Sequence, residues 1–322
     1  MTKLRRGTQT AFSEGQSLRL RAAWLYYNHG LTQKDVADKL GVSRTTVVRL
    51  IEEARRRGEV QIWISEGEHD CVQLALALEQ RFGLDEAIVV PAGGDAEQSA
   101  KAVGTALGKF LSEAISDGAV IGVGWGRTLS ASLSAFRPPR RAGVRVVSLI
   151  GGVSSPQIDN PIEYTWRLAS LLDAECDLFF APLLVDSAET RRRLIEKCGL
   201  DRLYRLAETL DIAVISAGDI GPGATSLSLK LMSDAERDAL IGAGAVCDVL
   251  CNFIDAAGRS VDHPIAERVM SVDLDTLARA RHIVLASGGA GRATAIRAAI
   301  TRVGCNTLVT DEAAARALLG DA

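Results

Sequence analysis

The sequence predicts two units: an N-terminal helix-turn-helix module and a larger, doubly wound α/β domain built on a mostly parallel sheet. Three observations carry that prediction. Between residues 19 and 58, short amphipathic stretches alternate with capping residues and glycines. Beyond about residue 85, near-continuous apolar runs alternate with helical stretches, the pattern of strands covered on both faces by helices. Charge is also divided unequally: residues 1–60 carry 12 Lys and Arg against 6 Asp and Glu, leaving 25 against 34 for the rest. A basic module on an acidic body is the distribution expected when one end of a protein meets phosphates. The length of 322 residues suits one small and one larger unit, and 47% apolar with 24% charged residues excludes a disordered chain. No run reaches the ~18 apolar residues of a membrane span. The opening MTKLRRGTQTAFSEG lacks the apolar core of a secretory signal, so a cytoplasmic protein is expected.

The first helix is read over RLRAAWLYYNH, residues 19–29, with Ala22, Leu25 and Tyr26 on one face and Gly30 ending it. Thr32 caps a second helix whose Val36, Ala37 and Leu40 recur at helical spacing. Gly41 makes the turn, and Ser43 caps a third helix with Val47, Leu50, Ile51 and Ala54 turned inward. Arg44, Thr45, Thr46 and Arg49 are left on the outward face, where a recognition helix presents arginine to guanine and threonine to base edges. These four are expected to contact the major groove of double-stranded operator DNA. Ser43, with the amides of the first turn, is expected to fix a phosphate. Arg55, Arg56 and Arg57 either reach the DNA backbone or form a solvated face. EVQIWI, after Gly58, reads as the strand of a wing. The boundaries expected are 1–66 for the winged helix-turn-helix, 67–84 for a linker helix and 85–322 for an effector-binding α/β domain.

In that domain, strands are read in EAIVVP, AVIGVG, VRVVSLI, DIAVIS, HIVLAS and NTLVT, with a further apolar run in DLFFAP and a long helix from Glu97 to Ile115. Ligands of such sheets sit at the carboxyl ends of the strands, which gathers four glycine-containing loops. The first, Gly122, Gly124, Trp125, Gly126, Arg127 and Thr128, runs from strand into helix and offers amides to an anionic group. It lacks the spacing and acidic partner of a dinucleotide site. The second holds Gly151 and Gly152, the third Gly218, Asp219 and Gly221, and the fourth Gly288, Gly289 and Gly291 before Arg292. An arginine in a first helical turn opposes the helix dipole, so Arg292 has either an anionic partner or an exposed pose. Asp255 either accepts sugar hydroxyls or caps a turn.

Six scattered cysteines suggest buried thiols in a reducing compartment. Cys247 and Cys251, in CDVLC, would share a face at helical spacing, but two thiols without a convergent histidine do not make a zinc site, and neither metal nor cofactor is indicated.

LTQKDVADKLGVSRTTVVRLIEEARRRGEV resembles the DNA-binding domain of the SorC family of bacterial sugar-responsive transcription regulators, a group kept with the DeoR-like repressors. IGVGWGRTLSA, VVSLIGG, AGAVCDVLCNFIDAAGR, VLASGGAGRATAIRAAI and NTLVTDEAAARALL are similar to successive blocks of the SorC-type sugar-binding domain, so the resemblance spans nearly the whole chain. It implies a fold similar to sugar-phosphate isomerases and a phosphosugar, free sugar or polyol as effector. By motif it places Gly124, Trp125, Gly126, Arg127 and Thr128 in the pocket, and sets Asp248 and Asp255 at the acidic positions of a GDICGRFFD-like block. Val249, Leu250, Cys251 and Asn252 depart from that block's glycine-bearing middle. Arg292 stands where the family commonly has lysine; a planar fork replaces a point charge. Regulators of erythritol and sorbitol operons are the similar members, which favours a sugar alcohol or its phosphate.

The function expected is a ligand-controlled DNA-binding regulator of a carbohydrate or polyol catabolic operon, acting as a dimer or tetramer because paired modules read paired half-sites. One alternative is a sugar-phosphate isomerase-like enzyme, for which His263 with Asp262 or Asp311 would be the candidates. Another is a metabolite-binding module without operator-specific DNA binding.

Overall fold

The protein is described by a computed structural model covering residues 11–60, 68–154, 160–221 and 232–320. Contacts separate the chain into two units, Met1–Glu66 and Gly67–Ala322.

The first unit contains helices α1 (Ala11–Tyr27), α2 (Gln33–Leu40) and α3 (Arg44–Arg56). α1 begins eight residues before the expected start, and Gly30, at φ +64°, lies in the turn that follows it. The caps of α2 and α3 form as the sequence predicts. Thr32 accepts the Asp35 N–H while Asp35 reaches back to the Thr32 N–H, a reciprocal capping box, and Ser43 accepts the Thr46 N–H. Ala22, Leu25, Val36, Ala37, Val47, Leu50 and Ile51 form the core. Arg19, itself buried, donates from Nε and Nη2 to the Glu59 carboxylate at 2.6 and 2.5 Å, tying α1 to the segment after α3. The pair holds Glu59 below the usual glutamate range through those hydrogen bonds. The wing strand read at 59–64 lies, beyond Glu59 and Val60, outside the described residues.

The second unit opens with α4 (Glu68–Phe82), whose Leu74 and Leu78 enter a core of sheet residues. There follow β1 (Glu86–Val90), α5 (Ala96–Ala114), β2 (Val120–Val123), α6 (Arg127–Ser132), β3 (Arg145–Ser148), α7 (Pro161–Leu172) and β4 (Glu175–Asp177). Then come α8 (Ala188–Lys197), α9 (Asp201–Ala207), β5 (Ile212–Ile215), α10 (Asp234–Gly242), β6 (Ala245–Val249) and β7 (Asn252–Asp255). The last elements are α11 (Leu274–Leu277), β8 (His282–Ala286), α12 (Ala293–Val303), β9 (Thr307–Asp311) and α13 (Glu312–Leu319). Seven strands form one all-parallel sheet in the order β1-β9-β8-β5-β2-β3-β4. Its residues alternate between two cores: Ile212, Val214 and Val284 pack under α5, α6 and α7, while Ala213, Ile215 and Leu285 pack under α4, α12 and α13. This is the doubly wound architecture, with burial on both faces explaining the near-continuous apolar strands.

β6 and β7 form a separate antiparallel hairpin, which corrects the helical reading of CDVLC. Cys247 lies in a strand and Cys251 in the turn, and both are buried, free thiols. The turn consists of Leu250 and Cys251, at φ +54° and +58°. Two-residue hairpin turns with positive φ at both positions favour Asn and Gly, and the conformation costs other residues of order 1 kcal/mol or more each. Asp248 accepts the Cys251 N–H at 2.6 Å, and the Asn252 side-chain amide donates to the carbonyls of Val249, Leu250 and Val272, so surrounding bonds hold the strained turn.

α5 and α6 touch through glycine. A Cβ on Gly104 would lie 2.5 Å from the Thr128 carbonyl oxygen, and one on Gly108 would lie 2.2 Å from the Ser132 carbonyl oxygen. These are backbone atoms and cannot rotate away. Gly108→Ala is expected to lower stability by about 1–2 kcal/mol in urea unfolding, overpacking outweighing the ~1 kcal/mol gain in helix propensity. A net gain would show that α6 can shift without loss.

Candidate functional site

From β2 the chain steps through β3 to β4 on one side, then returns to β5 and steps through β8 to β9 on the other. The loops leaving β2 and β5 therefore diverge between two adjacent strands, the place where a doubly wound sheet opens a crevice. A cleft of about 540 Å³, open mouth included, lies there, lined by Trp125, Gly126, Arg127, Thr128, Ser216, Ala217, Gly218, Asp219, Asp248, Leu250 and Arg292.

Each wall has a local cause. Gly126, at φ +123°, lets the chain turn from Trp125 into α6, which Arg127 and Thr128 open. Gly218 and Asp248 exchange backbone hydrogen bonds, both 2.9 Å, and so dock the β6–β7 hairpin against the loop after β5. The Ser287 hydroxyl donates to the Ala217 carbonyl at 2.8 Å, joining the loops after β8 and β5. Asp219 accepts the Gly221 N–H at 3.0 Å and, through its other oxygen, Arg292 Nε at 3.3 Å. Asp248 is buried among these groups. Burial pushes its carboxyl up to about 7, the negative charge of Asp219 adds to the rise, and the Cys251 N–H opposes it. Burial likewise raises the thiols of Cys247 and Cys251, which keeps them protonated and unreactive.

The cleft thus gathers eight residues expected from sequence: Trp125, Gly126, Arg127, Thr128, Gly218, Asp219, Asp248 and Arg292. Five others are placed elsewhere. Gly122 packs inside β2, where a Cβ would lie 2.5 Å from Leu210 Cδ1. Gly124 makes room for Leu250, 2.8 Å from such a Cβ, and Gly152 for Ile162, at 2.4 Å. Asp255 accepts the N–H groups of Ala257 and Arg259 and the Arg259 Nε, holding its own turn. Gly289, at φ +95°, donates its N–H to Asp311 Oδ2. Ser216, Ala217 and Leu250 line the cleft without having been singled out. The first two directly follow β5 and were within reach of the strand-end rule, whereas nothing local marks Leu250. Two arginines, two hydroxyl side chains and two carboxylates line the cleft and offer both donors and acceptors, a set suited to a ligand with several hydroxyls. Among the described residues no group of three or more His, Cys, Asp and Glu is placed to hold a metal. His263 Nδ1 accepts the Ile265 N–H and so caps the short 3₁₀ turn Pro264–Arg268.

In the first unit, Arg44, Thr45 and Arg49 are exposed along α3. Arg44 Nε donates to Gln33 Oε1 at 3.3 Å, linking the first residues of α3 and α2. Thr46 is half-buried and its hydroxyl bonds Ser43 Oγ at 2.8 Å, so both hydroxyls serve the cap of α3. Arg56 and Arg57 pair with Glu53. No helix among the described residues is long and apolar enough to cross a membrane.

Residues 68–320 match the family described as "Putative sugar-binding domain", and residues 16–63 match "Homeodomain-like domain". The chain is 30% identical to the deoxyribonucleoside regulator of Bacillus subtilis, over 96% of this chain and 99% of that one. It is 35% identical to the transcriptional regulator LsrR of Klebsiella pneumoniae subsp. pneumoniae, over 94% and 93% respectively. The crystal structure of the full-length sorbitol operon regulator SorC from Klebsiella pneumoniae superimposes with a TM-score of 0.81 and 27% identity, covering 97% of this chain and 100% of that one.

Proposed function

Given that the chain belongs to the SorC/DeoR family of sugar-binding transcriptional regulators, we propose that it binds operator DNA through α3 and is controlled by a sugar, sugar alcohol or sugar phosphate seated between the ends of β2 and β5. The observation that carries this reading is the cleft at the strand-order reversal, which joins Arg127, Asp219, Asp248 and Arg292 in a chain that also exposes Arg44 and Arg49 on a capped helix. The relatives of known name are regulators, one of deoxyribonucleosides and one of a sorbitol operon, which supports a carbohydrate or polyol catabolic operon as the target.

The finer assignments belong to the same proposal. Residues 1–66 form the DNA-reading unit, and Arg44, Thr45 and Arg49 meet base edges, while Ser43 and Thr46 anchor the helix start near a phosphate. The protein acts in the cytoplasm as a closed homo-oligomer of at least two chains, because one helix-turn-helix reads only a few base pairs. Effector binding shifts subunit packing and so the spacing of the recognition helices.

The test is to select bound fragments of the source genome with the purified protein, then compare their affinity with random DNA at one fixed salt concentration. Specific binding roughly a thousandfold or more above random DNA is expected. Salt-sensitive binding without sequence preference would overturn the operator assignment in favour of a metabolite-binding module.

A further inference from the structure

The loop that carries Arg292 is held from behind by a residue outside the cleft. Asp311 ends β9 and caps α13, accepting the Ala314 N–H on Oδ1 at 2.8 Å. Its other oxygen, Oδ2, points away from that helix and accepts the Gly289 N–H at 2.8 Å and the hydroxyl of Ser99 from the first turn of α5. Asp311 is 1% exposed and Ser99 4%. The packing is so close that a Cβ on Gly288 would lie 2.6 Å from Asp311 Oδ2 and 2.7 Å from Ser99 Oγ. The Gly289 carbonyl in turn accepts the Arg292 N–H at 3.0 Å, and the Arg292 side chain arrives opposite Asp219.

A carboxylate that only capped α13 would need one oxygen. The second is engaged by the effector loop, and a buried carboxylate is tolerated only where donors surround it. We propose that Asp311, supported by Ser99, is a positioning residue that sets the place of Arg292 in the cleft and thereby the affinity for effector. This inference rests on the reading of the cleft as the effector site.

Asp311→Asn separates the two roles, since an amide keeps one acceptor oxygen for the α13 cap but puts a donor where the Gly289 N–H needs an acceptor. Hydrogen exchange of residues 287–293 in the full chain is expected to quicken about tenfold or more, while α13 keeps its protection. Calorimetry with erythritol, sorbitol, 2-deoxyribose and their phosphate esters is expected to show about tenfold weaker binding of whichever probe the unmodified protein takes. In an Arg292→Ala background the same substitution is expected to cost less than about twofold, because its effect passes through Arg292. Equal losses in both backgrounds would assign Asp311 to general stability, and unchanged exchange of the loop would overturn the clamp outright. If the unmodified protein binds none of the probes, the reading of the cleft fails, while exchange still decides the clamp. Should Asp311→Asn not fold, Ser99→Ala removes one donor without touching the cap and is expected to quicken the same loop; no change there counts against the proposal.

Discussion

Replacing Asp248 by asparagine is expected to stabilise the protein at about pH 8 relative to about pH 5, while weakening effector binding at both. The Asp248 carboxyl is pushed up to about 7 in the folded protein, chiefly by burial, against an ordinary value of 3.8. The folded state therefore holds a proton that the unfolded chain releases. Its contribution to stability is fully present below the unfolded value and is lost as pH rises towards 7. The loss is on the order of 4 kcal/mol if the whole shift is expressed as stability. Asparagine keeps an oxygen for the Cys251 N–H and has no proton to lose. Urea unfolding of both proteins at the two pH values reports this group together with its coupling to Asp219, since the titrations of groups not coupled to Asp248 cancel in the difference. A gain of about 1–3 kcal/mol for the variant on going from the lower to the higher pH is expected. A difference independent of pH would mean that the carboxyl is hydrated rather than buried. The result would also show that burying this carboxyl in the cleft costs stability.

The second large effect is expected at the opposite end of the chain. Arg44→Ala and Arg49→Ala should each cost about 1–3 kcal/mol of discrimination between the selected operator and random DNA, and the double substitution about twice that. Both side chains are exposed and remote from the Ala22–Val47–Leu50 core, so the unit should keep its fold. Fluorescence anisotropy on the two DNAs over a range of salt concentrations separates the possible roles. Loss on the operator alone identifies base contact. Equal loss on both, with a salt dependence lowered by about one phosphate, would move the arginine to the DNA backbone. Arg44 is the sharper case, because Gln33 already orients its guanidinium.

What was legible in the sequence was local or periodic. Thr32 with Asp35, and Ser43 with Thr46, declare their helix starts within four residues, and the parallel strands show themselves as buried apolar runs. The site was legible where a strand-end loop carried unusual chemistry, as at Trp125–Thr128, Asp219 and Arg292. Glycine was the ambiguous signal. Gly122 reads as part of an amide-offering loop and Gly152 as a strand-end loop candidate, but they admit the side chains of Leu210 and Ile162, and only the packed structure separates a cradle from a close approach. The β6–β7 hairpin stayed hidden for the opposite reason. Its turn uses Leu250 and Cys251 where turn chemistry favours Asn and Gly, so the strongest local hairpin cue is missing. Leu250 consequently escaped notice as a cleft residue. Ser99 and Asp311, 212 positions apart, meet only because β9 returns beside β1 and α5.

That return has a consequence for how the protein is made. β1 and β9 are the first and last strands of the sheet, and they are direct neighbours in it. During synthesis the three-helix core and the Arg19–Glu59 pair are complete once Glu59, just after α3, has left the ribosome, whereas β1 waits for nearly the whole remaining chain before its hydrogen-bonding edge is met. At ~5–20 residues per second the rest of the chain needs on the order of tens of seconds to emerge, so the three-helix unit is expected to fold first while the β1 edge stays open until β9 arrives.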